Sequence, residues 1–539
     1  MCVKMKLLQL GFLIFCVGLY LQAQTIQSSN LPLLIINTNG QAIPDDPKII
    51  ADMGIVFNGE GVRNNLNDPY NHYNGKIGIE IRGQSSQQFP MKSYSIELRN
   101  SSGNSINRSL FGLPAESDWV LYAPYNDKTL MHNFLAYTIS REQGRWAANC
   151  RYVEVVLNGE YSGIYVMMER IKRNSGRVNI AKLNTNDVAG DEITGGYIFS
   201  IDKQANGWFS GYPAGQRNIQ FSYVYPKESS IVAAQKMYIK MYTDSFENAL
   251  NNSQYQDKQN GWRKYADENS FIDYLLVNEV SRNVDGYRLS TYFYKDRYSK
   301  GGKIKAGPVW DYDLAFRNAN YCKGSDVSGW GYQFNNVCPS DFWQVPFWWE
   351  KLSADTAFQN NLRCRWEQLK ITSLSKNHLT QLIDSIATLT TEARQRHFKQ
   401  WPVLGQYVWP NPLPIATTYE GEIQTLKNWL DARLKWLDDN ISKTGGCIVF
   451  PANSRNTFII SNFPNPFYGN NIITIQSETE QQISMRVIDA SGRIIESIKI
   501  NVQSGFNSVP VAASYWAKGM YIVSFISASG ETQMRKLIK

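Results

Sequence analysis

The sequence reads as an α+β protein in which a sheet-rich half joins a helix-rich half and is followed by a small β-sandwich. Three observations carry this reading. Between about residues 30 and 230 short apolar alternations such as GKIGIEIRG, KSYSIELR, YVEVVLNGEYSGIYVMMERI and GGYIFSIDK are separated by Gly, Asn and Asp turns, the period-two signature of antiparallel sheet. After 230 the period becomes helical, in IVAAQKMYIKMYTDSFENAL and SFIDYLLVNEVSRN. Beyond 456 short strands recur with turn signals roughly every eight to twelve residues, as in a sandwich. Strict β-α alternation is scarce, which argues against a doubly wound sheet.

The elements follow in chain order. Lys4 and Lys6, the apolar run LLQLGFLIFCVGLYL and a small-residue exit at Ala23 form a secretory signal peptide, residues 1–23. Its core of about fifteen residues is short of the ~20 a membrane span needs, and no later stretch approaches that length, so no span is expected after cleavage. Phe15 before Cys16 is bulky where a lipoprotein signal has a small residue. A first domain is expected over 30–442. Within it LNGEYSG predicts a hairpin turning at Asn158 and Gly159, and TLMHNFLAYTISREQG a helix stopped by Gly144. Ser270 is placed to cap the helix SFIDYLLVNEVSRN. RLSTYFYKD and KIKAGPVWDYDLAF read as strands, and 317–345 as a loop rich in Gly, Trp and Asn. DTAFQNNLRCRWEQLK, LTQLIDSIATLTTEARQRHF and EIQTLKNWLDARLKWLDDNI are helical. KTGGCIVFPANSRN, 443–456, reads as a linker, and 457–539 as the sandwich.

Aromatic content of 13%, with 15 Trp and 31 Tyr, excludes disorder for most of the chain and suits a surface that meets sugars or flat rings. The formal net charge of +8 drops when Lys4 and Lys6 leave and is spread thinly without a basic run, which argues against a nucleic-acid partner. Cys2 and Cys16 leave with the signal; Cys150, Cys322, Cys338, Cys364 and Cys447 remain. An exported protein keeps disulfides, and a bridge between Cys322 and Cys338 would close the Gly/Trp/Asn-rich loop. His72, His132, His378 and His397 have no metal-ligand spacing, so a zinc site is not expected.

Candidate chemistry gathers around WDYD, where Asp311 and Asp313 sit at i and i+2 of an expected strand end and so face one side. Two such carboxylates suit Mg²⁺, a hard cation that takes carboxylate, phosphate and water oxygens. Asp285 follows a helix end in NVDG, an irregular position from which an acid can take a proton from an attacking hydroxyl. Arg82 beside a Gly/Ser turn and Lys92 at a strand start are cations suited to phosphate oxygens. Together these are the parts of phosphoryl transfer. Each has a plainer reading: Asp pairs often occupy surface turns, and an arginine beside a Gly/Ser turn often braces the loop. Glu154 and Glu169 are candidates for an ion pair or a hinge, or ordinary strand carboxylates. Trp330, Tyr332, Phe342, Trp343, Phe347, Trp348 and Trp349 form either a carbohydrate platform or core against the helical half.

The order LPLLIINTNGQAIPDDPKI, RGQSSQQFPMKSYSIEL, DWVLYAPYNDKTLMHNFLAY, VEVVLNGEYSGIYVMMERIK, GGYIFSIDK, NEVSRNVDGYRLSTYFYKD and GPVWDYDLAF resembles the CotH (spore coat protein H) kinase family over about residues 30 to 440. The resemblance implies an atypical protein-kinase-like fold, ATP and Mg²⁺ binding, and phosphorylation of Ser or Thr hydroxyls on a protein acceptor. It implies Asp285 as catalytic acid, Asp311 and Asp313 as metal ligands with Asp311 the principal one, and Arg82 and Lys92 near the phosphates. Met91 stands where the family often has a lysine, and His132 where an arginine is common. Ordinary kinase motifs, a Gly-x-Gly-x-x-Gly loop and His-Arg-Asp, are absent.

FPNPF (463–467), DASGR (489–493), KGMYIV (518–523) and a basic last strand resemble the type A sorting domain of type IX secretion, found in Bacteroidota. That implies passage across the outer membrane through the type IX machinery, to the surface or the medium. ATP is scarce there. Two other readings therefore stand beside phosphotransfer: a catalytically inactive surface adhesin on the same fold, as fungal relatives suggest, and a glycan-active enzyme with Asp285 and one WDYD aspartate ~5 to 9.5 Å apart.

Overall fold

The computed structural model describes residues 26–203, 206–215, 217–442, 458–462, 471–477, 479–503, 505–527 and 532–539. The expected signal peptide, the expected linker and FPNPF lie outside the described residues. The chain divides into two compact units between residues 443 and 444.

The first unit opens with β1 (Ser28–Ser29), β2 (Leu33–Asn37), β3 (Ile49–Val56), β4 (Asn64–Asn65), β5 (Tyr73–Arg82), β6 (Ser93–Arg99) and β7 (Asp118–Tyr122). Helix α1 (His132–Glu142), β8 (Cys150–Leu157) and β9 (Glu160–Glu169) follow. β1 pairs with β4, while β2-β3-β5-β6-β7-β9-β8 closes into a barrel. Closure rests on a parallel pairing of β2 with β8, Leu33 opposite Glu154, and every other pairing in the barrel is antiparallel. Alternate residues point inward as the period-two pattern requires: Ile77 and Ile79, Val153 and Val155, Tyr165 and Met167 share one buried core with Trp119. On β9 the intervening Ile164, Val166 and Met168 are buried as well, in a second core with Leu135, Ala136 and Ile139 of α1. A strand covered on both faces reads as a continuous apolar run, hence GIYVMM.

The hairpin β8–β9 turns at Asn158 (φ 53°) and Gly159 (φ 84°), the paired left-handed residues of a two-residue turn whose twist matches its strands. Helix α1 ends as expected, with Gly144 at φ 84° and its N–H on Arg141 O at 2.9 Å.

A second sheet carries β10 (Tyr197–Ile201), β11 (Phe209–Ala214), β12 (Arg217–Tyr225), β13 (Thr291–Lys295) and β14 (Ile304–Ala306), in the order β11-β12-β10-β13-β14. Between its strands lie α2 (Ala233–Asn251) and α3 (Glu268–Ser281), and after them α4 (Phe334–Val337), α5 (Trp348–Ala354), α6 (Thr356–Leu369), α7 (Lys376–Leu389), α8 (Thr391–Gln400) and α9 (Tyr419–Asn440). From Ser270 to Ser281 every residue of α3 is buried, as in a helix at the centre of a core. Its cap is Asp267, whose carboxylate accepts Ser270 N–H at 2.8 Å; the expected cap Ser270 lies inside the first turn. KIKAGPVWDYDLAF is strand only over Ile304–Ala306, so WDYD stands in irregular chain. Trp348 and Trp349 are fully buried, Trp330 and Tyr332 pack partly buried on the core, and Phe342 is 53% exposed.

The second unit has two antiparallel sheets: β15 (Phe458–Asn462), β16 (Asn471–Ser477) and β19 (Gly505–Val511) in the order β15-β16-β19, and β17 (Gln481–Asp489), β18 (Ile494–Val502), β20 (Met520–Ser527) and β21 (Thr532–Ile538) in the order β18-β17-β20-β21. Ile473, Ile475, Met485, Val487, Val523 and Phe525 form its core. DASGR makes the β17–β18 turn, where Asp489 accepts the N–H groups of Ser491 (2.9 Å) and Arg493 (3.1 Å).

Candidate functional site

A cavity of about 370 Å³ opens in the first unit, within the size range of small-molecule sites. Its walls come from the end of β5 and the following loop (Arg82 to Ser86, Phe89), from Tyr122 at the end of β7 and Asn126 beyond it, and from Asn133 and Tyr137 of α1. Asp202 and Lys203 after β10, the loop after α3 (Asp285, Leu289, Ser290), Trp310 to Asp313 without Tyr312, and Trp409 complete it. The structure therefore brings Arg82, Asp285, Asp311 and Asp313 together, although 203 residues of chain separate Arg82 from Asp285.

WDYD faces the cavity for a reason other than strand alternation. Tyr312 is the anchor: it is 1% exposed, its N–H donates to Asn133 Oδ1 at 2.7 Å and its hydroxyl to Asn278 Oδ1 at 3.0 Å. Asp311 takes φ 66°, a left-handed conformation costly for a residue with a Cβ, and its N–H donates to Tyr137 Oη at 3.1 Å. With the middle residue pinned inward, both flanking carboxylates turn to the cavity. Asp313 Oδ2 accepts Asn126 Nδ2 at 2.8 Å, and Ser290 Oγ lies 3.4 Å from Asp311 Oδ2 and 3.4 Å from Asp202 Oδ2. Burial pushes the Asp311 carboxyl well above the usual range, and Asp313, Asp285 and Asp202 push the same way against Arg82. Burial likewise raises Asp313, with Asp285 and Asp127 adding to it. Carboxyls crowded together away from water favour their protonated forms, and a cation bound beside them would reverse that preference.

Arg82 sits with its guanidinium 5.3 Å from the Trp310 ring. Lys92 does not line the cavity: its ammonium donates to Gln87 O at 2.5 Å and Phe89 O at 2.6 Å, bracing the β5–β6 loop from behind. The cation at the mouth is Lys203 instead, whose Nζ donates to Ser85 Oγ at 3.0 Å and lies 5.6 Å from the Trp343 ring. Asp202 and Lys203 give little signal in the sequence because GGYIFSIDK reads as plain strand; the acid-base pair at its end is the one local cue. Asn126, Ser290 and Tyr122 carried none. Asp285 is 2.7 Å from Arg288 Nη2, and its N–H donates to Asn283 Oδ1 at 3.2 Å.

Glu154 and Glu169 lie elsewhere. Glu154 accepts Tyr161 Oη at 2.6 Å and Arg396 Nη2 at 2.6 Å, and Glu169 accepts Asn149 N and Nδ2 at 2.9 and 2.8 Å. Met91 belongs to the barrel core, and His132 contacts Asp313 O with Nδ1 at 3.2 Å.

The fit of a cation and its ligand is testable on the walls. Among the described residues no three His, Cys, Asp or Glu side chains converge into a closed metal cage. The two carboxylates of Asp311 and Asp313, the latter oriented by Asn126 Nδ2, leave an open oxygen pair of the kind Mg²⁺ shares with phosphate and water. The Tyr122 hydroxyl, buried in the cavity wall, has no hydrogen-bond partner, a polar atom that a bound ligand can satisfy. The residues fit a divalent cation bound together with a phosphorylated ligand.

A barrel and a helical half around an acid-lined cleft, with a separate sandwich after it, define an α+β protein of two units. The family described as CotH kinase protein matches residues 79–437, and the secretion system C-terminal sorting domain matches residues 461–539. The chain belongs to the CotH kinase protein family and carries a type IX sorting domain at its C-terminal end. It is exported through type IX secretion to the cell surface or the medium. A search of curated proteins found no match. Among the described residues no helix is long and apolar enough to cross a membrane.

Proposed function

We propose that the first unit is a kinase-like phosphotransferase that moves the terminal phosphoryl group of ATP to a Ser or Thr hydroxyl of a protein acceptor. The observation that carries this reading is the convergence of Asp285, Asp311, Asp313 and Arg82 on one buried cavity. Asp311 and Asp313 are the carboxylates that would hold Mg²⁺, and the cation when bound supplies positive charge to the phosphate oxygens. Arg82 and Lys203, which also line the cavity, neutralise phosphate oxygens. Asp285, with Oδ1 on Arg288, keeps Oδ2 to accept the proton of the acceptor hydroxyl. Tyr122 offers a further hydroxyl to the bound nucleotide.

Calorimetry of the secreted chain with ATP, with and without Mg²⁺, tests the reading. Binding that needs the metal and weakens at least about 100-fold in Asp311→Ala is expected, since that change removes one of two charged ligands. Absence of heat under every condition would sink it and leave a surface-binding role on this fold.

A further inference from the structure

Arg288 is 2% exposed, and its guanidinium is held on every side. Nε donates to Val284 O at 3.0 Å, Nη2 to Asp285 Oδ1 at 2.7 Å, and Nη1 to Asp341 Oδ1 and to Trp343 O, each at 3.1 Å. The Phe334 ring closes the remaining face, 4.0 Å from Cζ. Three of these partners, Phe334, Asp341 and Trp343, belong to one stretch of chain hinged on Cys338. Asp341 N–H and Gln344 Nε2 both donate to Cys338 O, at 3.1 and 3.0 Å. Cys338 is disulfide-bonded to Cys322, 16 residues earlier, next to Tyr321, which stacks on Trp409 of the cavity wall at 6.1 Å.

The loop that carries Asp285 is anchored at Tyr287, whose hydroxyl donates to Glu279 Oε1 at 2.8 Å, and at Asn283, whose Nδ2 donates to Asp311 O at 3.2 Å, but the Asp285 carboxylate itself is held by Arg288. Arg282, Tyr287 and Ser290 all have positive φ (44°, 70° and 45°), conformations that persist in non-glycine residues only where the surroundings impose them. Within the loop, Gly286 N–H donates to Asn283 O and Leu289 N–H to Asp285 O, each at 3.0 Å, and Asp285 N–H donates to Asn283 Oδ1 at 3.2 Å.

We infer that Arg288 is the positioning residue of Asp285, and that the Cys322–Cys338 bridge holds Arg288 in place, so that the site is completed only after export. The inference rests on the phosphotransfer reading for the role of Asp285, but not for the tether itself. In a reducing cytoplasm the two thiols stay apart. Outside it a disulfide of an exported oxidant accepts their two electrons by thiol–disulfide exchange: one thiolate attacks it and forms a mixed disulfide, the second thiolate displaces the oxidant's sulfur from it, and the oxidant leaves as a dithiol that carries the two protons of the cysteines. The turn 338–344 is then fixed, Asp341 and Trp343 O grip one edge of the guanidinium, and the other edge orients Asp285. A lysine cannot reproduce this, because it lacks the planar fork that reaches both sides at once.

Hydrogen exchange of the secreted full chain, oxidised and then reduced without denaturant, reads the tether without any activity. Exchange in 284–290 and 338–345 is expected to rise about tenfold or more on reduction, with β5 and β6 unchanged, and the Cys322→Ser, Cys338→Ser double variant should match the reduced protein. Equal exchange in 284–290 in both states overturns the inference whatever the chain does to ATP. Where turnover of MgATP is measured, Arg288→Lys should lower kcat about 100-fold with KM for ATP within about twofold, and reduction should add little to that loss because both act through one contact. Losses that multiply, or a KM that rises with kcat unchanged, also overturn it.

Discussion

At the scale of single residues, the cavity is defined by side chains whose neighbours decide what they do. Asp311 and Asp313 reach it because Tyr312 between them is pinned by Asn133 and Asn278, so Tyr312→Phe, which removes the hydroxyl bond to Asn278 and leaves both carboxylates in place, should weaken Mg²⁺ binding severalfold in calorimetry. Lys203 makes a more direct prediction. A hydrogen bond to a charged group contributes about 1.5–3 kcal/mol, so Lys203→Ala should weaken MgATP binding about tenfold, while Lys92→Ala, which unbraces the loop from behind, should cost stability before affinity; calorimetry and thermal melts of both variants separate the two. Glu247 illustrates the same principle away from the site. It is 1% exposed, accepts Ser210 Oγ at 2.7 Å and Trp348 Nε1 at 2.9 Å, and burial raises its pKa to about 6. A carboxyl raised in the folded state binds its proton more tightly there, so its contribution is greatest at acid pH and is lost as pH rises from about 4.5 through 6. Glu247→Gln should therefore stabilise the protein by ~2 kcal/mol at pH 7 and by little at pH 4, as read by denaturant unfolding.

At the scale of elements, the joint between the barrel and α8 is the most specific. β8 and β9 change register around Ser162, Val155 facing Gly163 and Val156 facing Tyr161, a bulge that bends the strand. The bare backbone there admits α8 and the chain after it: Trp401 Nε1 donates to Ser162 O at 2.9 Å, and Ile164 N–H donates to His397 Nδ1 at 3.1 Å. A Cβ on Gly163, at φ 107°, would stand 2.9 Å from His397 Nδ1 and 3.0 Å from Trp401 Nε1. Gly163→Ala should cost about 1–3 kcal/mol, measurable by denaturation. His397 is neutral by necessity, since its Nδ1 must accept; burial pulls its pKa down to about 3. The unfolded imidazole titrates near 6.5, so the joint keeps its full stability above that pH and loses it as pH falls from about 6.5 toward 3. Acid unfolding that starts below pH 6.5 and is delayed in His397→Gln is the expected outcome.

At the scale of the first unit as a whole, distant segments are locked by buried charge. Arg433 of α9 donates to Glu279 O at 2.7 Å and Oε2 at 2.9 Å, and to Val327 O and Gly329 O at 2.9 and 2.8 Å. Glu279 of α3 also accepts Gly331 N–H at 2.8 Å and Tyr287 Oη at 2.8 Å. Both side chains are fully buried, so Glu279→Gln leaves a guanidinium uncompensated and should cost about 3–5 kcal/mol, seen as a drop in the unfolding midpoint. Export adds the outer constraint: the first unit acts at the surface or in the medium, away from cytoplasmic ATP.

Local pattern was legible in the sequence wherever a residue's own neighbours decide its state. The alternation in GKIGIEIRG and VEVVL, the Asn158-Gly159 turn, the Gly144 stop, the sandwich strands and the ordered segments of the CotH kinase family could all be read without coordinates, because period, turn chemistry and motif order are properties of short stretches. Tertiary structure alone decided the rest. Barrel closure depends on pairing Leu33 with Glu154, a contact between residues far apart in the chain that no local period encodes. The facing of Asp311 and Asp313 depends on where Tyr312 is anchored rather than on strand alternation, the substitution of Lys203 for Lys92 depends on which ammonium finds backbone carbonyls, and the grip on Asp285 depends on a loop more than fifty residues downstream. Each is a choice among partners brought together by folding.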